Sequence, residues 1–152
     1  MLIEFKAKRF DLTIEYQNQH ILSLIYRRIS MKLYWSMPPS LRQHYQQELQ
    51  HYQNAFATGN LSEAWHRLER AHILGQAWPL EHSYVHWLML RFGIYIKSTK
   101  EVLGQIPRLL VGGVKSFVGK IPVGNTGGAN VPSLRPMDIS PDLKQILESN
   151  LK

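Results

Sequence analysis

"FATGNLSEAWHRLERAHILGQ" (residues 56–76) decides the fold. Thr58-Gly59-Asn60 interrupts two apolar rhythms. Gly59 can take the left-handed conformation that ends a helix. Asn60 can cap the next helix, and Glu63 follows three residues later, as in a capping box. From there Leu61, Trp65, Leu68 and His72 fall along one side of a helix that should end near Gly75-Gln76. On the N-terminal side, Ser40 can cap a helix whose apolar positions are Leu41, Tyr45, Leu49, Tyr52 and Phe56. On the C-terminal side, Pro79 suits the first turn of a third helix with a stripe of Val85, Leu88, Met89, Phe92 and Ile96. "STKE" (98–101) opens a fourth helix, which Pro107 and Gly112-Gly113 should bend or shorten. Short connections between amphipathic helices imply an all-α fold: an antiparallel bundle of about four helices. Residues 119–142 then carry four Gly and four Pro around "GNTGGAN", a loop expected to pack back on the bundle. Ser140-Pro141 starts a short final helix.

Three parts are expected: an N-terminal extension over 1–37, the helical bundle over 38–118, and the loop with its terminal helix over 119–152. The extension reads as a strand-like "FDLTIEY" (10–16) and an amphipathic "ILSLIYRRISMKL" (21–33), neither with an obvious partner. Met31 and Met37 are alternative starts, so 1–37 could reflect a misplaced start codon.

Composition removes several classes of function. The chain of 152 residues has no cysteine, which excludes disulfides, thiolate metal sites and cysteine nucleophiles. Its net charge of +7 comes without a long basic run or a recognition motif, so nucleic acid is a poor expectation. No apolar stretch is long enough for a transmembrane helix, and the basic N-terminus leads into acidic and polar residues rather than a signal-peptide core. The cytoplasm is the expected location. A protein partner or a homo-oligomer remains open.

The chemistry-bearing residues cluster by helical spacing. Glu69, His72 and Gln76 lie at i, i+3 and i+7 on helix two; His82 and His86 lie at i and i+4 on helix three. The "AWPLE" connection is short enough to make these two faces neighbours. Imidazole and carboxylate without thiolate suit a nitrogen/oxygen site for zinc or iron, so Glu69, His72, His82 and His86 form the expected metal set. Glu48 and His51 make a second Glu-x-x-His pair on helix one, and Glu101 and Gln105 lie on helix four. With Gln76 these are secondary candidates, because two-metal bundles use two such pairs plus single carboxylates. The plainer reading is a buried hydrogen-bond network, since buried imidazole and carboxylate need partners in any protein. Two lookalikes fail. "HSYVH" (82–86) has Ser83 where a zinc protease needs its base, and "GKIPVGNT" (119–126) has Asn125 where a phosphate loop needs lysine.

"AWHRLERAHILGQ", "EVLGQIPRLL", "GNTGGANV" and "PMDISPDL", in this order, resemble a bacterial family of domains of unknown function. The resemblance covers roughly 38–148. It implies that Glu69, His72, Gln76, His82, His86, Gln105 and the glycine-rich loop sit at family motif positions. It implies a metal-linked role and brings no established activity. The expected function is therefore transition-metal binding through the His/Glu cluster. The alternative is a non-enzymatic interaction or regulatory module with a structural His/Glu network. Nothing in the sequence decides whether the chain is an enzyme.

Overall fold

The computed structural model describes residues 36–117 and 123–150. Those residues form five helices: α1 (Pro39–Ala57), α2 (Leu61–Gly75), α3 (Pro79–Tyr95), α4 (Thr99–Phe117) and α5 (Pro141–Asn150). The fold is all-α, with a Gly/Pro-rich loop before the short terminal helix. The strand-like and helical readings of residues 10–33 lie outside the described residues.

The helix boundaries follow from local chemistry. Gly59 has φ +75° and Asn60 accepts a hydrogen bond from the Glu63 N–H. Only half of the capping box forms. The Asn60 N–H is taken by the Ala55 carbonyl, which leaves the Glu63 carboxylate to pair with Arg67 at 2.6 Å. α4 repeats the pattern: Ser98 Oγ accepts from the Glu101 N–H, and the Glu101 carboxylate is used elsewhere. α1 differs from expectation. Pro38 precedes its first turn and Ser40 caps nothing, because Pro39 already supplies a helical φ and lacks the N–H a cap would satisfy. α4 also runs unbroken through Pro107 to Phe117. Pro107 and Leu103 are both exposed, so the carbonyl deprived of its donor faces water.

Packing is sequential. α1 pairs with α2, α2 with α3 and α3 with α4; α5 lies against α1 and α2. Among the described residues α1 does not pack on α4, but its side chains reach α3: Tyr45 donates to the Glu81 carbonyl, Arg42 pairs with the Glu81 carboxylate and Phe56 packs on Phe92. Leu41, Leu68, Leu74, Trp78, Val85, Met89 and Leu143 fill the core. Each buried side chain of this size contributes roughly 1.5–3 kcal/mol relative to exposure. Ile96, expected in the stripe of α3, is exposed just beyond the helix end. Trp78 enters the core from the α2–α3 turn. Met37, at the expected end of the N-terminal extension, is also in the core.

Buried charge ties α5 down. Glu48 on α1 accepts from Arg67 at 3.0 Å and Arg70 at 2.8 Å, both on α2. Arg70 continues to Asp142 on α5 at 2.6 Å. The Arg70 bond, with one from Ser140, holds the Asp142 carboxyl well below the usual carboxylate range.

A candidate metal centre between the two central helices

His72 on α2 and His82 and His86 on α3 converge on one point. Their Nε2 atoms form a triangle: 2.9 Å between His72 and His82, 3.1 Å between His82 and His86, and 3.2 Å between His72 and His86. His72 and His86 are buried; His82 is partly exposed.

The other ring nitrogens explain the orientation. His72 Nδ1 lies 2.9 Å from the Asn125 backbone carbonyl oxygen. A carbonyl only accepts, so this Nδ1 carries the hydrogen. His86 Nδ1 lies 2.7 Å from Gln105 Oε1. The Gln105 amide is itself fixed, because its NH2 donates to Glu101 Oε1 at 2.6 Å and to the Gly127 carbonyl at 2.9 Å. A reversed amide would face oxygen with oxygen at both contacts. His86 Nδ1 therefore carries its hydrogen too. The neutral forms of His72 and His86 thus present bare Nε2 lone pairs to each other. Both rings are pushed toward neutrality. Burial lowers His72 well below the ordinary imidazole value, with further lowering by His82, His86 and Arg108. Burial likewise lowers His86 to about 4, against the opposing bond from Gln105.

The glycine-rich loop covers the site. Asn125 donates through its side-chain amide to the Pro132 and Arg135 carbonyls at 2.8 Å each and accepts from the Gly127 N–H at 3.0 Å. Gly127, at φ +84°, lies flat on the His72 ring: a Cβ there would come within 2.8–2.9 Å of three ring atoms. The Ala129 N–H donates to the Glu101 carboxylate at 3.0 Å. Arg108 on α4 reaches the Val131 carbonyl at 2.7 Å. Gly104 lets the loop approach, since a Cβ there would strike Ala129.

The other expected residues have separate fates. Glu69 is not in the convergent group. Burial raises its carboxyl above the ordinary range, offset by Thr126 and Trp65. Glu48 is buried against two arginines and His51 is exposed on the surface of α1. Gln76 is buried at the C-terminal end of α2. Glu101 and Gln105 stand behind His86 and under the loop. The sequence reading missed Asn125, treating it only as the residue that breaks a phosphate-loop pattern. Its signal was its place inside "GNTGGAN", where a polar side chain among glycines implies a stapled turn.

No curated protein and no solved structure matches the chain. No helix among the described residues is long and apolar enough to cross a membrane. The family model "Protein of unknown function (DUF3703)" matches residues 39–147, and that span holds every residue of the site. The chain belongs to that family.

Proposed function

We propose that the chain binds one divalent transition-metal ion through the Nε2 atoms of His72, His82 and His86. The observation that carries this reading is the bare His72–His86 contact at 3.2 Å. A structural hydrogen-bond network needs a proton in every close nitrogen–nitrogen contact. Here the ring protons of His72 and His86 are spent on carbonyl oxygens, and a proton on His82 Nε2 can serve its own contacts only. A cation at the centre satisfies all three lone pairs at once. The dimensions fit: nitrogens at about 2.0–2.1 Å from one ion lie about 2.9 Å apart at a right angle and about 3.4 Å apart at the tetrahedral angle. The carbonyl partners behind His72 and His86 are the kind that fix a metal-bound imidazole. Three imidazoles without a carboxylate favour zinc over non-haem iron, whose usual facial triad includes one.

The test is metal analysis of the full chain purified without a histidine tag, followed by zinc titration of the stripped protein. About one zinc per chain and a rise in melting temperature are expected. A ligand at a hundredfold excess over its Kd adds about 2.7 kcal/mol. His72→Ala and His82→Ala should each remove that rise. Equal responses from wild type and both variants would overturn the reading.

A second reading rests on surface rather than site. Leu80 and Trp87 on α3 and Leu103 and Leu110 on α4 are exposed, and Leu80, Leu103 and Leu110 each exceed 60% exposure. Such surfaces mark protein contacts. They support an interaction module that is compatible with the metal site rather than an alternative to it.

A further inference from the structure

The histidine trio supplies three ligands and no charge. His72 and His86 each ligate as neutral imidazole, since their Nδ1–H groups stay on carbonyl oxygens, and His82 must also be neutral to offer Nε2. A divalent ion would therefore carry its full charge into a largely buried place. Two charged groups beside the site, Glu101 and Arg108, do not offset it. Glu101 is committed to the Gln105 amide and the Ala129 N–H, and it faces the Arg108 guanidinium, whose charge opposes its own. Arg108 makes hydrogen bonds to the Gly104 and Val131 carbonyls, and its positive charge bears on His72 and His86. An uncompensated buried charge costs several kcal/mol, so the loaded centre requires an anion. The trio is not buried evenly. The loop closes the site over His72 through Gly127, whereas His82 is partly exposed and marks the side that solvent reaches.

Resting on the metal reading above, we infer that the centre is of the open kind, and that its fourth position takes a small exogenous anion, hydroxide in its absence, rather than a protein carboxylate. Among the described residues Glu69 is the rival that helical spacing brings nearest to the trio. It lies one helical turn before His72, and its carboxylate stands outside the trio. If it swung onto the metal it would cancel half of the ion's charge and close the site. The two arrangements differ in function. A closed site holds structure, while an open one binds or activates an anion or water.

The test uses the full chain loaded with cobalt(II), whose visible absorption reports its coordination, titrated with azide. Wild type and Glu69→Gln should both show a saturable shift of the cobalt bands, with azide affinities within about threefold of each other. Bands insensitive to azide in wild type but sensitive in Glu69→Gln would mean that Glu69 closes the site, and would overturn the inference. Bands insensitive in both would overturn it as well, with another protein group in the fourth position. Failure of the metal reading looks different: no cobalt bands in wild type, or the same bands in His72→Ala and His82→Ala. That result would remove both claims.

Discussion

Gly127 owes its place to the His72 ring. Its φ of +84° is cheap only for glycine, and any Cβ would press on the ring that must aim Nε2 at its partners. Gly127→Ala should destabilise the fold by about 1–3 kcal/mol through backbone strain and ring displacement. Zinc affinity should fall about 10–100-fold, the size of effect seen when a ligand's support is lost. Isothermal titration of the folded variant reads this directly, and unchanged affinity would show that the ring is held without the loop. The histidines set a second expectation. His86 is lowered to about 4 and His72 lies well below 6.5, so from pH about 6.5 down to about 4 these two rings bind more protons in the unfolded chain than in the folded one. Metal-free stability should therefore be full above pH 6.5 and be lost as pH falls through that window. His86 alone accounts for roughly 3 kcal/mol at 1.36 kcal/mol per unit. Denaturant titrations at pH 7.5, 5.5 and 4.5 should show the decline, and a flat profile would mean that the rings are solvated. Free imidazole predicts that zinc binding fades near pH 6.5; these depressed values carry it lower. Helical spacing made the trio legible as neighbours. It could not reveal the tautomers, because Asn125 is 53 residues from His72 in sequence.

Helix existence was the most legible feature, because each break is local: Gly59, Pro79 and Ser98 act on the residues beside them. What each carboxylate does was less legible, because that depends on the neighbouring helix. Glu48 read as half of a second Glu-x-x-His pair and a secondary metal candidate. Its contacts are with Arg67 and Arg70 on α2, and through Arg70 with Asp142 on α5. Glu48→Gln removes the charge and leaves two guanidinium groups facing an amide. Breaking such a partly buried network should cost about 2–4 kcal/mol. Urea unfolding should show the loss, with the C-terminal helix loosened first by hydrogen exchange. Zinc content should remain that of the wild type. Loss of metal together with stability would return Glu48 to the ligand list.

At the scale of the molecule, the histidine trio joins elements that are far apart in the chain. α1 pairs with α2 and α3 with α4; the two pairs meet along the α2–α3 seam and through α1 side chains on α3, among them Tyr45 on the Glu81 carbonyl and Phe56 on Phe92. The trio spans that seam, with one histidine from α2 and two from α3. Behind it, Gln105 and Glu101 extend the link to α4, and Asn125, Gly127 and Ala129 extend it to the loop. The sequence predicted the adjacency of helices two and three from the short "AWPLE" turn. It could not predict that the loop would supply the carbonyl behind His72, since no periodicity governs a glycine-rich segment. A ligand that binds only the native arrangement raises the free energy of every opening that breaks its site. Zinc should therefore slow hydrogen exchange at the Gly127 and Ala129 amides, which lie in the loop, as well as in α2 and α3. At a hundredfold excess over Kd the slowing should approach a hundredfold wherever opening the loop requires release of the metal. Protection confined to α2 and α3, with the loop amides unchanged, would mean that the loop opens without disturbing the histidines. The bonds from Asn125 and Gly127 would then be a cover over the site and no part of its support.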